Sequence, residues 1–217
     1  MDPRKASSVT ARVRTAVLIS GRGSNMSALI EAARSPDFSG EIVLVLSDDP
    51  AAAGLSLARN LGVAAEAIDS RAYAGKPAFE AALATRLTSA SVEIVCLAGF
   101  MRVLSPSFVE RWRGRMLNIH PSLLPNLRGL NTHARALAQG LSEHGCTVHL
   151  VTAEVDAGPI LARARVPVLP SDDVGALAAR VLEEEHRIYP QALDELARSL
   201  RCAGDCERQA ARRRSDH

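Results

Sequence analysis

Aromatic residues make up only 3% of the chain, and none falls in its two most basic segments, the leader before Thr15 and the tail after Leu200. Single-stranded nucleic acid is held on aromatic platforms beside basic grooves. Arg4, Lys5, Arg12 and Arg14 in the leader and Arg208, Arg212, Arg213 and Arg214 in the tail therefore read as solvated termini, not as a nucleic-acid surface. Neither sign of charge dominates, the formal balance being +2. No apolar run approaches the roughly 20 residues that span a bilayer, and the leader lacks the apolar core of a signal peptide. A soluble, unexported protein without a membrane partner is expected. Cysteine is scarce as well. Of the four, Cys96 and Cys146 sit in apolar, strand-like runs as small buried hydrophobes, which suits a reducing cytoplasm. Cys202 and Cys206 stand four apart in the tail. That spacing fits a chance pair, a redox pair or half of a metal site, the first being the plainest.

What the chain has in quantity is apolar residues, 47% of its 217 positions, enough to bury a sizeable core in one domain. The expected organisation is a flexible leader (1–14), a single domain (15–200) and a flexible basic tail (201–217). Within the domain, short apolar runs at Thr15 to Ser20, Glu41 to Leu46, Ala64 to Ile68 and Val92 to Leu97 read as buried strands. Segments between them, such as Met26 to Arg34 and Ala78 to Leu87, carry helical spacing. This β-α series predicts an α/β fold, a Rossmann-like, mostly parallel sheet with helices on both faces and ligands at the carboxyl ends of the strands. Farther on, Cys146 to Thr152 and Ile160 to Val168 are β-rich with no helix between them, which predicts an antiparallel strand pair in the C-terminal half. A final helix from about Val174 to Leu200 follows, with Asp172 and Asp173 available for capping and Pro190 expected to kink or break it.

The densest chemistry lies in Asn118-Ile119-His120-Pro121-Ser122-Leu123-Leu124-Pro125. On a strand, Asn118 and His120 aim at one face, and Pro121 stops the strand just after them. An amide donor beside a proton-transferring imidazole suits a reaction in which a carbonyl oxygen becomes an oxyanion, that is, acyl transfer. Turn chemistry with a satisfied imidazole is the plainer alternative for those two residues alone. Asp156, in the loop Glu154-Val155-Asp156-Ala157-Gly158-Pro159 between the two β-rich runs, shifts the balance. A carboxylate reaching back to His120 would raise its pKa, and Gly158-Pro159 offers a pivot for the loop.

Ser20-Gly21-Arg22-Gly23-Ser24-Asn25 follows the first strand and opens the first helix, where freed N–H groups and the positive helix end suit a phosphate. It matches neither the dinucleotide fingerprint nor a nucleoside-triphosphate loop. The alternative is a tight turn with Ser24 or Asn25 as N-cap. Gly99-Phe100-Met101-Arg102-Val103-Leu104-Ser105-Pro106 follows another strand and has the makings of a wall for a flat heterocycle. Taken alone, it reads more simply as a loop packing Phe100 and Met101 into the core. His120, His133, His144 and His149 are four potential metal ligands, but their spacings fit no metal motif, and no metal is expected.

Taken together, Ile19 to Asn25, Leu97 to Leu104, Asn118 to Pro125, His144-Gly145-Cys146-Thr147-Val148-His149 and Asp156-Ala157-Gly158-Pro159 resemble the phosphoribosylglycinamide formyltransferase family, in order, over about Thr15 to Leu200. The resemblance implies transfer of a formyl group from 10-formyltetrahydrofolate to the amine of glycinamide ribonucleotide in purine synthesis, without a metal. It implies that Asn118, His120 and Asp156 are catalytic, with His120 as general acid. Gly23, Ser24 and Asn25 would hold the phosphate and Glu185 the ribose hydroxyls. Met101, Arg102, Val103 and Leu104 would line the folate site with Asn118, and Lys76 would take the place of a basic residue near the glutamate tail of the folate. The implied partners are small molecules, and the enzyme would be a monomer or homodimer.

Two stretches depart from the commoner family pattern: Asn126-Leu127-Arg128-Gly129-Leu130-Asn131, where many relatives carry an aromatic, a proline and a histidine, and Leu182, where some carry a polar residue. Another folate-dependent formyltransferase, a 10-formyltetrahydrofolate hydrolase and a non-catalytic phosphate-binding module are the alternatives. The length leaves no room for the extra domains expected of a tRNA-type enzyme or a hydrolase, and the full set Asn118, His120 and Asp156 speaks against a pure binder.

Overall fold

In strand β1 (Val13–Ile19), Val17 and Ile19 are buried in one core and Ala16 and Leu18 in another. A strand whose successive side chains enter opposite cores lies inside a sheet covered on both faces. The computed structural model describes residues 11–215, in which β1 joins β2 (Gly40–Ser47), β3 (Ala65–Ala67), β4 (Ile94–Leu97), β5 (Met116–His120), β6 (Glu143–Leu150) and β7 (Ile160–Pro167). The seven form one sheet in the order β3-β2-β1-β4-β5-β6-β7. The first five pair in parallel, β5 with β6 and β6 with β7 antiparallel. This is the Rossmann-like mixed sheet expected from the alternation of runs. Strand ends differ from the expected ones by three residues or fewer.

One face is covered by α1 (Ser24–Ala32), α2 (Ala53–Asn60), α5 (Thr132–Ala138) and α6 (Val174–Ser215), through Met26, Leu29, Leu55, Ala136, Leu177 and Tyr189. The other is covered by α3 (Lys76–Ser89) and α4 (Pro106–Arg111), through Phe79, Leu83, Leu87 and Phe108. Among the described residues no helix is long and apolar enough to cross a membrane.

Three local expectations are corrected. Neither Ser24 nor Asn25 caps α1; the cap is Gly23, left-handed at φ +79° and without a side-chain hydrogen bond. An added Cβ at Gly23 would meet Gly54 Cα and Met26 at 3.0 Å, so glycine serves both the turn and the close approach of α2. Pro190 does not break α6, which is continuous from Val174 to Ser215. Burial of Val181, Ile188 and Tyr189 before the proline, and of Ala192, Leu193 and Ala197 after it, outweighs the roughly 3 kcal/mol a helical proline costs. The helix also runs beyond the expected end at Leu200. At its start Asp173 accepts the Ala176 N–H at 2.7 Å, while Asp172 pairs with Arg180 at 2.7 Å.

The first ten residues, with Arg4 and Lys5, lie outside the described residues, as do the side chains of Cys206, Arg208, Arg212, Arg213 and Arg214. Cys96 and Cys146 are buried and free, and Cys202 is exposed.

Candidate active site

At the carboxyl end of β5, Asn118 and His120 project to one side, as their period-2 spacing requires, into a cleft of about 650 Å³. The β6–β7 loop returns Asp156 to the same cleft, its backbone left-handed at φ +52°. His120 Nδ1 lies 3.4 Å from Asp156 Oδ2. The other ring nitrogen, Nε2, donates to the Leu127 carbonyl at 3.1 Å, and the Gly129 N–H donates to Asp156 Oδ2 at 3.0 Å. The segment after Pro125 thus closes over both catalytic candidates through main-chain groups, which residue identity there does not advertise.

The expected upward shift of the His120 pKa is not what the site produces. Burial of the imidazole lowers it and prevails over the Leu127 bond and the Asp156 charge, both of which act upward; nearby His149 and Arg135 add to the downward side. His120 is 5% exposed, so withdrawal from water dominates. Asp156 is pushed up by its own burial but held below the usual carboxylate range by His149, the Gly129 N–H and His120.

His149 is the functional candidate that residue-by-residue reading missed. It pairs directly with Asn118 across β5 and β6. Its Nδ1 donates to the Leu150 carbonyl at 3.0 Å, which leaves Nε2 to accept an N–H from Asn118 Nδ2 at 3.2 Å. The same Nε2 is 3.7 Å from Asp156 Oδ1. His133 and His144 form a separate pair, ring nitrogens 3.1 Å apart and planes at 88°. Among the described residues no group of three or more His, Cys, Asp or Glu side chains is placed to hold a metal ion.

A second hollow, of about 320 Å³, opens against Gly21, Arg22, Gly23, Ser24 and Asn25. With no side chain capping α1 and no acidic residue in its first turn, the N–H groups there face the hollow uncompensated. Asn25, Gly99 and Met101 line both spaces, so the hollow and the cleft adjoin. Asn25 Nδ2 donates to Glu185 Oε2 at 2.6 Å. Glu185 on α6 is buried, its carboxyl pushed up by burial against the pull of that bond. The structure therefore brings Asn25 and Glu185 together in the cleft, with Gly23 and Ser24 in the adjoining hollow.

Met101, Arg102, Val103 and Leu104 line the cleft together with Asn118. Of the two residues expected to pack into the core, Phe100 does so, half-buried, while Met101 is 68% exposed; Val103 is exposed as well and Leu104 is buried. The Arg102 guanidinium is engaged with Asp48 at 2.7 Å and with Ser70. Lys76 does not line the cleft. It sits on the first turn of α3, half-exposed and 3.9 Å from Glu80.

A formyl transferase family model matches residues 13–193. The chain is 44% identical over 181 residues to phosphoribosylglycinamide formyltransferase of Escherichia coli strain K12, covering 83% of this chain and 85% of that one. It is 47% identical over 186 residues to the trifunctional purine biosynthetic protein adenosine-3 of Homo sapiens; this covers 86% of the chain, which spans only 18% of that protein's length. The crystal structure of phosphoribosylglycinamide formyltransferase from Brucella melitensis superposes with a TM-score of 0.83 at 52% identity, covering 86% of this chain and 96% of that one. With the fold, the motif order and these likenesses in agreement, the chain belongs to the phosphoribosylglycinamide formyltransferases of the formyl transferase family.

Proposed function

We propose that the chain transfers the formyl group of 10-formyltetrahydrofolate to the amine of N1-(5-phosphoribosyl)glycinamide, giving the formylated ribonucleotide and tetrahydrofolate, a step of purine synthesis. The observation that carries this reading is the junction of the two spaces. An uncapped helix start suited to a phosphate adjoins, across Asn25, Gly99 and Met101, a mostly apolar cleft lined by Asn118, His120 and Asp156. A ribonucleotide with its phosphate on Gly23, Ser24 and Asn25 and its ribose hydroxyls on Glu185 would direct its amine toward Asn118. The folate would lie along Met101 to Leu104, with its glutamate tail toward Lys76.

The amine nitrogen bonds to the formyl carbon and the carbonyl oxygen becomes an oxyanion. Asn118 offers that oxygen an N–H, since His149 takes only one of the two on its amide nitrogen. His120, whose Nε2–H is given to the Leu127 carbonyl, takes up through a water the proton that the attacking amine loses. Burial keeps the resting imidazole neutral more readily than Asp156 charges it, so the oxyanion supplies the additional negative charge that favours imidazolium as the reaction proceeds. The bond from formyl carbon to folate N10 then breaks. N10 then gains the proton the amine lost, returned by His120 as general acid, with Asp156 and a water completing the relay. Amide, imidazole and carboxylate account for every charge and proton, and the reading calls on no metal. It is the reading of a cytoplasmic enzyme, monomeric or homodimeric, that handles small molecules without nucleic-acid or membrane partners.

The test is an absorbance assay with a 10-formylfolate donor, run with and without the ribonucleotide and repeated with His120→Ala. Deformylation that needs the ribonucleotide and is lost in the variant supports the proposal. Turnover without the ribonucleotide would make the chain a hydrolase, and none with it would overturn the acceptor assignment.

A further inference from the structure

A buried carboxylate outside the cleft ties together the strand ends from which both binding segments spring. Asp48 follows β2 and is 7% exposed, yet it does not line the cleft and has no part in the proton transfers above. Its Oδ1 accepts the Ser20 hydroxyl at 2.6 Å, and its Oδ2 accepts Arg102 Nε at 2.7 Å. The Ser20 hydroxyl oxygen in turn accepts the Met101 N–H at 2.9 Å, and the Ser20 N–H donates to the Gly99 carbonyl at 3.1 Å. Arg102 also donates to the Ser70 hydroxyl, and the Ser70 N–H donates to the Asp48 carbonyl at 3.2 Å. One carboxylate thus fastens the segments after β1, β2 and β4.

The segment after β4 is anchored at its ends, by Phe100 packed on the core and by Leu104 buried in it, but not between them. Met101 and Val103 are exposed, so apolar burial contributes little there, and the hydrogen bonds from Ser20 and Asp48 replace it. A charge at this depth is sustained only by full pairing, and Asp48 is paired on both oxygens. The expectation that Arg102 contacts folate is recast by the same bonds: its guanidinium grips Asp48 and Ser70, neither of which lines the cleft.

We propose that Asp48 is a positioning residue for the formyl donor, holding Met101 to Leu104 in the form that receives the folate through Ser20 and Arg102. This rests on the reading above that the donor lies along that wall. It assigns the carboxylate to binding and not to chemistry, and chiefly to the donor, since only the Ser20 hydroxyl links it to the hollow at the start of α1.

The experiment compares kcat, both KM values and the thermal midpoint for the wild-type chain, Asp48→Ala, Asp48→Asn, Ser70→Ala and Arg102→Met, with calorimetric binding of 10-formylfolate alongside. Asp48→Ala should raise the donor KM about tenfold, leave kcat within about threefold and leave the ribonucleotide KM within about twofold. Asp48→Asn should recover most of the loss, because its amide nitrogen can donate to Ser20 while its oxygen still accepts Arg102. Ser70→Ala, remote from the cleft, should give a smaller rise in the same constant.

Equal rises in both KM values, a fall in kcat with the donor KM unchanged, or a lower thermal midpoint with both constants intact would each overturn the proposal. If Asp48→Ala does not fold, Arg102→Met removes the same pair from its half-exposed end, and an unchanged donor KM there is equally fatal. Calorimetry separates this proposal from the one it rests on. Folate binding that weakens in Asp48→Ala upholds the positioning role even if no formyl group is transferred; equal binding by the two chains, or none by the wild type, ends it.

Discussion

The side-chain amide nitrogen of Asn118 lies 3.2 Å from Nε2 of His149, its direct partner on the neighbouring antiparallel strand. Because His149 Nδ1 is committed to the Leu150 carbonyl at 3.0 Å, the amide is held with its nitrogen, not its oxygen, toward the ring. That orientation leaves an N–H for the oxyanion. His149→Phe keeps the buried volume but removes the acceptor, and the amide is then free to turn. The expected result is a fall in kcat of about ten- to a hundredfold with the fold retained, the scale on which small misplacements cost rate. Steady-state kinetics beside circular dichroism decide it; an unchanged kcat would mean that Asn118 needs no such holder.

Asn118→Ala and His120→Ala remove the proposed donors themselves. Each should cost about two to three orders of magnitude in kcat while leaving a folded chain, since one oxyanion donor is typically worth that much. Near-normal turnover in both variants would refute the roles given to them. The double variant should lose less than the product of the two single losses, because both act on one oxygen.

The pH dependence of stability should report on His144. Burial, with the nearby His133 and His120, pushes its pKa down to about 4 from an ordinary value of 6.5. A histidine depressed in the folded state stays neutral while its unfolded counterpart takes up a proton, so its contribution is intact above pH 6.5 and is lost as the pH falls toward 4. The gap corresponds to roughly 3 kcal/mol at most. Urea unfolding at pH 7.5 and pH 5 should show the loss, and His144→Gln should shrink the difference between the two. A difference of the same size in the variant would place the acid sensitivity elsewhere.

Much of this arrangement was legible in the chain, and what was not has definite physical causes. Parallel strands buried on both faces are continuous apolar runs, so Thr15 to Ser20 and Val92 to Leu97 announced themselves. The spacing of Asn118 and His120 needed only the two-residue period of a strand. The role of His149 depends on register between β5 and β6, a tertiary fact that no local pattern carries. The downward shift at His120 depends on how deeply the ring is buried, which its neighbours in sequence do not reveal. Likewise, the passage of α6 through Pro190 is decided by Tyr189 and Leu193, buried on either side of it.

Gly158 sets the path of the Asp156 loop. A Cβ added there would sit 1.8 Å from the Leu150 carbonyl oxygen, closer than any contact can be. Its neighbour Pro159 accepts the Leu150 N–H at 2.8 Å, so the loop is pressed against the end of β6 and cannot yield locally. Gly158→Ala should displace the loop and with it the carboxylate facing His120. A fall in kcat of about a hundredfold, much larger than any change in either KM, is expected. Kinetics like those of the wild type would show that Asp156 reaches His120 from more than one loop conformation.

Among the described residues, Arg22 is the only formally charged one lining the hollow at the start of α1, and its side chain is exposed. A helix N-terminus offers about half a positive charge, whereas a phosphate monoester near neutral pH carries between one and two negative charges. Arg22 is the residue that can supply the remainder. Arg22→Ala should therefore raise the ribonucleotide KM about three- to thirtyfold, with kcat and the donor KM little changed, and Arg22→Lys should keep most of the affinity because the charge is retained. Because an exposed charge is screened, the ribonucleotide KM of the wild type should climb with added salt more steeply than that of Arg22→Ala. Equal slopes in the two chains would show that the helix end and the glycine turn bind the phosphate without this arginine.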